Sequence, residues 1–155
     1  MMTQIRPFRT DDEAALVALW SACDLLRPWN DPHRDIRRKL TLRDDLLLVA
    51  SASGELVGSV MAGYEGHRGW INYLAVAPTH RRRGLGRQLM REAEERLAAV
   101  GCPKINLQVR AGNGDVLAFY EAIGYRVDEV VSLGKRLVDD EAPGQPQHIG
   151  DRARS

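Results

Sequence analysis

An apolar run, a glycine-containing turn and a periodic segment follow one another between residues 70 and 100, and this succession constrains the fold more than any other feature. The run is Trp70-Ile71-Asn72-Tyr73-Leu74-Ala75-Val76, and the turn contains Arg81-Arg82-Arg83-Gly84-Leu85-Gly86. Leu85, Leu89, Ala93 and Leu97 then recur at four-residue steps. This spacing predicts a helix over residues 84–100 that packs one face against a sheet. The chain is therefore predicted to pass from a strand through the turn into a helix.

The turn before this helix has the chemistry of an anion-binding site. The first N–H groups of a helix have no partner within the helix, and the helix dipole adds partial positive charge at the same place. Gly84 and Gly86 carry no Cβ, so the backbone can approach a bulky anion closely. Arg81, Arg82 and Arg83 add forked, charge-assisted donors on the approach. These residues predict a pyrophosphate ligand.

Two common pyrophosphate sites are excluded by what the turn lacks. A nucleoside triphosphatase loop needs Lys-Ser or Lys-Thr after its glycines, and a dinucleotide site needs a third glycine where this chain has Leu89. The pattern Arg-x-x-Gly-x-Gly after a strand resembles the acyl-CoA-binding signature of the GNAT superfamily of N-acetyltransferases.

A second segment strengthens this resemblance. Residues 106–113 read as a strand and a loop in which Asn113 caps a short helix, and the helix carries Phe119-Tyr120-Glu121 and ends at Gly124. This arrangement resembles the second GNAT motif. The resemblance covers residues 5–138, and segments 23–32, 63–69 and 132–137 are similar to the YpeA-type bacterial acetyltransferases.

The resemblance implies a fold, a reaction and a set of site residues. The fold is mixed α/β, with a central, mostly antiparallel sheet that splays at the cofactor and about four flanking helices. The reaction moves the acetyl group of acetyl-CoA directly to a primary amine, and Tyr120 protonates the leaving thiolate. Alternatively, Tyr120 packs against the pantetheine or the core. The implied cofactor-binding residues are Leu74, Ala75, Val76, Arg81, Arg82, Arg83, Gly84, Leu85, Gly86, Arg87, Asn113 and Tyr120.

The general base is the open question at this stage. Gln108 stands where family members that acetylate protein N-termini carry a glutamate, and an amide cannot accept the proton. The candidates are Glu65 and His67 in a predicted hairpin, with Asp31 and Tyr73 behind them.

The loop between the first two predicted helices borders the acceptor site in this family. Arg27, Trp29 and Asn30 lie there, and an arginine beside an aromatic ring suggests an acceptor that carries a carboxylate. The expected acceptor is a small amino acid or related metabolite, contacted by Arg27, Trp29, Asn30, Asp31, Tyr73 and Gln108. An equally open alternative is that Trp29 only packs against the protein and Arg27 is only solvated, with no role in acceptor binding. A protein N-terminal α-amine is the alternative acceptor, and a non-catalytic acyl-CoA-binding module or sensor is the alternative function.

The composition and net charge limit the kinds of binding partner that we expect. With 22 basic and 21 acidic side chains among 155 residues, the net charge is +1, so neither nucleic acid nor a membrane surface is expected as a partner. Cys23 and Cys102 lack CxxC spacing, and the four histidines form no metal-ligand pattern, so reduced thiols and no metal are expected. The start of the sequence has no signal-peptide core, which favours a cytoplasmic location. A monomer or a homodimer is expected, since an exposed closing strand would favour pairing with a second copy.

One domain over residues 1–138 and a disordered tail over 139–155 are predicted. Thr10 and Glu13 form a predicted capping box for a first helix that runs to about Cys23, and Pro32 starts a second. The predicted strands are residues 4–8, 46–51, 56–64, 70–76, 104–109, 125–127 and 130–138.

Overall fold

Five strands form one sheet in the order in which they occur along the chain. The computed structural model describes residues 2–141, and its strands are β1 (Thr3–Pro7), β2 (Leu47–Ala52), β3 (Glu55–Tyr64), β4 (Gly69–Val76) and β5 (Ile105–Leu107). The first four strands pair antiparallel, and β5 pairs parallel with β4. The predicted mixed α/β class with a mostly antiparallel sheet is confirmed.

Four helices cover the two faces of this sheet. They are α1 (Glu13–Ala22), α2 (Pro32–Leu40), α3 (Leu85–Ala99) and α4 (Gly114–Ala122). Leu48 and Ala50 of β2 face the core beneath α3, whereas Leu47 and Val49 face the core beneath α1 and α2. Because a strand alternates its side chains, the sheet is buried on both faces.

The two helix starts that bear on the site follow from local chemistry. Asp31 accepts hydrogen bonds from the N–H groups of His33 and Arg34, at 3.0 and 3.2 Å, and Pro32 occupies the first turn of α2. Helix α3 starts at a left-handed Gly84, with φ at 78°. The predicted start of α2 is confirmed, and that of α3 moves by one residue.

The start of α1 corrects the predicted capping box. Thr10 lies inside a short 3₁₀ turn, so its side chain is not at the helix start. The side chain that completes the capping box is Asp12 instead of Glu13, because the Asp12 carboxylate accepts a hydrogen bond from the main-chain N–H of Arg9 at 2.8 Å. Arg6 holds the same carboxylate through two hydrogen bonds, which lowers the pKa of Asp12. Glu13 is the first residue of α1 and plays no part in this contact.

The two predicted strands after α4 are wrong, because residues 125–138 carry no strand. Val130, Val131 and Leu133 are 78%, 84% and 92% exposed, so they meet no core face. Apolar and polar residues alternate over residues 125–128, but the alternation breaks at Asp128-Glu129 and Val130-Val131, and Gly134 interrupts the later apolar residues, which leaves no continuous face to bury. β5 is also shorter than predicted.

The packed domain continues past residue 138, where the tail was predicted to begin. Asp139 and Asp140 are 3% and 4% exposed. Arg38 of α2 donates to both carboxylate oxygens of Asp140, at 3.0 and 2.8 Å. The rest of the predicted tail, residues 142–155, lies outside the described residues.

Candidate active site

A bulge interrupts β4 halfway along its length. Ser59 and Met61 of β3 lie opposite Ala75 and Asn72, so the two residues Tyr73 and Leu74 occupy the space of one. Tyr73 adopts φ of 51°, in the left-handed region that a side chain with a Cβ rarely enters. The sequence predicted a strand over residues 70–76 without showing a bulge, so this irregularity is a finding of the structure.

Three side chains hold Tyr73 in this unusual conformation. Its ring stacks on Trp20 of α1, with centroids 3.8 Å apart and planes 11° from parallel. Its carbonyl accepts from Ser59 Oγ at 2.8 Å, and the same oxygen of Ser59 accepts from Trp20 Nε1 at 2.9 Å. Its hydroxyl donates to Asp35 Oδ2 at 2.6 Å. The bulge is therefore fixed from α1, from β3 and from α2.

Beyond the bulge the sheet opens. Among residues 2–141, β4 pairs with β5 only through Gly69, Trp70 and Ile71, and the remaining five residues of β4 have no strand partner on that side. The N–H of Ala77 bonds back to β3, and Ala75 pairs with β3 as well. Since main-chain groups alternate along a strand, those of Leu74 and Val76 face the opening. This is the wedge that the predicted splay requires.

The wedge leads to the turn before α3. The first main-chain bond of the helix runs from the N–H of Gln88 to the carbonyl of Gly84, at 3.0 Å, so the N–H groups of Leu85, Gly86 and Arg87 precede it. No side chain of residues 2–141 caps this end. In the described part of the chain, no atom lies within 4 Å of the place where Gly84 would carry a Cβ, which leaves the helix start open to an anion.

Gly86 lies beside α4. A Cβ there would lie 3.4 Å from the Phe119 ring of α4 and 3.6 Å from Val76, which is ordinary van der Waals contact, so the packing of α3 on α4 does not itself require a glycine. Arg81 is partly used by the fold, because its Nε donates to the carbonyl of Val76 at 3.2 Å. Arg82, Arg83 and Arg87 are exposed at the turn.

Tyr120 lies on the inner face of α4 and is 7% exposed. Its ring meets Phe119 and Tyr125 edge to face, with centroids 5.2 and 5.7 Å away. Burial raises the pKa of Tyr120 to about 12, which keeps the phenol protonated. No atom of residues 2–141 hydrogen-bonds its hydroxyl. Asn113 caps α4 as predicted, because its Oδ1 accepts from the N–H of Val116 at 3.4 Å.

The hairpin that contains Glu65 and His67 lies at the other end of β4. Glu65 accepts from the main-chain N–H groups of His67 and Arg68, so its carboxylate closes the turn. Gly69 is four residues from Tyr73, which corresponds to about 13 Å along a strand, and the hairpin lies beyond it. The structure does not bring either predicted base to the bulge.

The loop between α1 and α2 meets two later parts of the chain. Arg110, after β5, lies over the Trp29 ring at 5.5 Å, and Arg136 donates to Asn30 Oδ1. Arg27 turns back instead, because its guanidinium donates to the carbonyls of Asp24 and Leu26 at 2.9 and 2.8 Å. Arg27 is therefore held by its own loop.

The C-terminal segment that contains Arg136 and Asp140 is the second part of the chain that contacts this loop. The N–H of Asp31 donates to Asp140 Oδ2 at 3.1 Å, and Arg38 and Arg34 surround the same carboxylate. The hydrogen bonds from Arg38 lower the pKa of Asp140 to about 2. Gln108, the remaining predicted acceptor contact, donates to Ser132.

Sequence reasoning missed four side chains in this region: Asp35, Arg110, Arg136 and Asp140. Asp35 falls within the predicted second helix, and nothing local marks its contact with Tyr73, 38 residues away. Arg136 and Asp140 act on residues more than 100 positions earlier. Arg110 carried a usable signal, because it follows a predicted strand directly and lies in the loop before the Asn113 cap.

The splayed sheet, the arginine-rich helix start and the buried tyrosine on α4 are together the features of an acetyl-CoA-dependent acetyltransferase. The model of the Acetyltransferase (GNAT) family matches residues 14–125. The chain belongs to this family.

Two bacterial relatives agree with this assignment. An acetyltransferase of Sodalis glossinidius is 52% identical over 139 residues, which is 89% of this chain and 98% of the relative. An acetyltransferase of Pectobacterium atrosepticum is 53% identical over 137 residues, 88% of this chain and 97% of the relative. The enzyme class is therefore acetyltransferase, while the narrower YpeA-type resemblance stays a prediction.

Solved structures share the fold at lower identity. AAC(6')-Iy in complex with a bisubstrate analogue, CoA-S-monomethyl-acetylneamine, matches with a TM-score of 0.70 at 20% identity, over 88% of this chain and 99% of that one. The ribosomal-protein-S18-alanine N-acetyltransferase of Escherichia coli matches with a TM-score of 0.67 at 22% identity, over 79% and 77%. Their acceptors differ, so the shared fold leaves the acceptor of this chain open.

Two further findings concern residues 2–141 alone. No helix in that range is long and apolar enough to cross a membrane. No group of three or more histidine, cysteine, aspartate and glutamate side chains in that range is placed to hold a metal ion.

Proposed function

We propose that this acetyltransferase moves the acetyl group of acetyl-CoA directly to the primary amine of a small amino acid or a related metabolite with a carboxylate. The contact of Arg110 with the Trp29 ring carries this proposal. No carboxylate of residues 2–141 pairs with Arg110, so its forked donors are free for an anionic acceptor. Arg110 therefore replaces Arg27, whose guanidinium is occupied by its own loop, as the carboxylate-binding arginine.

The fixed position of the α1–α2 loop supports a small acceptor. The α1–α2 loop is tied to the loop after β5 through Arg110, and to the C-terminal segment through Asn30 and Asp31. These ties leave less access for an extended peptide than an open groove would. A protein N-terminal α-amine remains the alternative acceptor, and Gln108 in place of a carboxylate speaks against it.

The residues that line the wedge have distinct roles in this proposal. The N–H groups at the start of α3, with Arg82, Arg83 and Arg87, bind the pyrophosphate, and the main chain of Leu74 and Val76 holds the pantetheine. Acetyl-CoA is the cosubstrate that its family uses, and it supplies the acetyl thioester. Tyr120 gives its phenolic proton to the departing sulfur as the C–S bond breaks. A non-catalytic binding module would have no use for a buried, protonated tyrosine at this place.

The experiment is thiol release from acetyl-CoA with L-alanine, L-alaninamide, spermidine, kanamycin and an alanine-initiated peptide as acceptors. L-alanine and L-alaninamide form the decisive pair, because they differ in the carboxylate. A charge-assisted hydrogen bond contributes about 1.5–3 kcal/mol, so we expect kcat/KM to favour L-alanine by roughly 10- to 100-fold.

Variants then assign the preference to a residue. Arg110→Gln should abolish it, whereas Arg27→Gln and Arg91→Gln, the latter on the exposed face of α3, should keep it. Faster transfer to the peptide than to every small acceptor would overturn the proposal, and so would an undiminished preference in Arg110→Gln.

A further inference from the structure

Direct acetyl transfer needs an uncharged amine, and the bulge lies close to a group that can receive its proton. An amine with a pKa near 10.4 is only about 1 part in 2,500 neutral at pH 7, a deficit of roughly 4.6 kcal/mol. Glu65 and His67 are too distant to help, and the amide of Gln108 takes no proton. Some other group must provide the base.

The Tyr73 hydroxyl is the titratable group attached to the bulge itself. It donates to Asp35 Oδ2 at 2.6 Å, a short bond of the kind that charged acceptors make. The stack on Trp20 fixes the direction of the ring, so the hydroxyl cannot turn away from α2. A donor bound to a carboxylate still offers its oxygen lone pairs to an incoming N–H.

Charged groups from three parts of the chain face this hydroxyl. Asp35 and Arg38 lie on α2, Asp31 caps its start, and Asp140 comes from the C-terminal segment. Burial, the Asp35 hydrogen bond and the three carboxylates together raise the pKa of Tyr73 above its ordinary value. Tyr73 therefore stays protonated, which suits a relay and excludes a free phenolate base. Arg38 makes its two shorter hydrogen bonds with Asp140, and its hydrogen bond with Asp35 is longer, at 3.4 Å.

We propose that Tyr73 and Asp35 form the route by which the acceptor amine loses its proton, with Tyr73 as the catalytic residue and Asp35 as the positioning residue behind it. The bound ammonium first gives one proton to Tyr73 Oη while the original Tyr73 proton passes to Asp35 Oδ2. The neutral nitrogen then bonds to the thioester carbon, and the C–S bond breaks as Tyr120 protonates the sulfur. The nitrogen gives its second proton through solvent to the Tyr120 oxygen, and solvent takes the proton from Asp35, which returns each group to its starting state. The inference rests on the proposed site of transfer at the bulge, but on no particular acceptor.

The test is the pH dependence of kcat/KM at saturating acetyl-CoA, measured with the panel amine that wild type acetylates fastest. In Asp35→Asn, only amine that is already neutral can react. We expect a loss of at least about 10-fold at pH 7, within the usual range for general base catalysis. The residual rate should rise about tenfold per pH unit up to the pKa of the amine, more steeply than in wild type.

Tyr73→Phe should lower kcat/KM as much as Asp35→Asn does. The double variant should lose no more kcat/KM than either single variant, because the two groups act in series. Asp35→Glu should recover part of the rate. Asp24→Asn, an exposed carboxylate in the neighbouring loop, is the matched control and should behave as wild type. Unchanged acetyl-CoA affinity and melting temperature separate a proton-transfer defect from loss of the fold. A wild-type rate and pH slope in Asp35→Asn would overturn the inference.

Hydrolysis of acetyl-CoA without any acceptor provides a readout that does not depend on the proposed acceptor. Water then replaces the amine, and the same pair takes its proton. If no panel amine is acetylated, the proposed function fails. Slower hydrolysis in Asp35→Asn would still support the pair, and unchanged hydrolysis would reject it.

Discussion

Ser59→Ala removes one buried hydroxyl and tests how the bulge is held. Ser59 and Trp20 are both 0% exposed, and the hydroxyl serves the Trp20 indole N–H and the Tyr73 carbonyl at once. Without it, the Trp20 indole N–H and the Tyr73 carbonyl each lose this hydrogen bond. Each such loss costs about 1–3 kcal/mol, so the free energy of unfolding should fall by roughly 2–6 kcal/mol. At about 3 °C per kcal/mol for a chain of this length, the melting temperature should fall by roughly 6–18 °C.

The assay is urea unfolding followed by tryptophan fluorescence, with Ser21→Ala as the matched control. Ser21 lies on the exposed side of α1, next to Trp20, so the same chemical change there should alter stability by less than about 0.5 kcal/mol. Ser59→Ala and Trp20→Phe should also be less than additive when combined, since both remove the same bond. Equal effects of Ser59→Ala and Ser21→Ala would refute the reasoning.

The same variant should affect catalysis separately from stability. The left-handed conformation of Tyr73 costs about 1–3 kcal/mol and persists because its surroundings hold it. When the Ser59 bond is lost, the bulge can relax, which would move the Tyr73 hydroxyl and the N–H groups that face the wedge. We therefore expect kcat to fall at 10 °C, where the variant is still folded, while acetyl-CoA affinity changes less. A kcat equal to that of wild type would show that the bulge is held by the remaining contacts alone.

Three shorter predictions concern the turn, the acid and the C-terminal segment. Gly84→Ala and Gly101→Ala both place a Cβ on a residue in the left-handed conformation, so each should lower the free energy of unfolding by about 1 kcal/mol. Only Gly84→Ala should also weaken the binding of coenzyme A, as measured by calorimetric titration. Tyr120→Phe should lower kcat by roughly 100-fold or more while the affinity for acetyl-CoA stays unchanged. Because the pKa of Tyr120 lies at about 12, the kcat of the wild-type enzyme should show no loss from ionisation of Tyr120 below pH 10. A kcat equal to that of wild type in Tyr120→Phe would remove Tyr120 from the mechanism. The depressed pKa of Asp140, about 2 against an unfolded value near 3.9, contributes roughly 2 kcal/mol that is present above pH 4 and lost as the pH falls towards 2. Acid unfolding of Asp140→Asn should lack this component, and an unchanged acid profile would contradict the pairing with Arg38.

The parts of the fold that could be predicted are those whose causes are local. The start of α2 follows from Asp31 and Pro32, and the open turn before α3 follows from Gly84 between a strand and a periodic helix. In both cases the residues that act on each other lie within a few positions. The strands predicted at 125–127 and 130–138 failed because strand formation needs a partner edge, and residue composition alone does not state whether β5 provides one.

The acceptor side depends on contacts between residues far apart in the sequence, which explains why the motifs identified the enzyme class and left the substrate open. The turn that we propose to bind the pyrophosphate is one contiguous segment, so its chemistry can be read directly from the order of its residues. Tyr73, by contrast, acquires its partner Asp35 only when α2 folds over β4, and Asp140 reaches Arg38 across 102 positions. A change in any of these segments can alter the acceptor site while the turn stays the same. The residues that decide the acceptor should therefore be sought among Asp35, Tyr73 and Arg110, rather than in the cofactor motif.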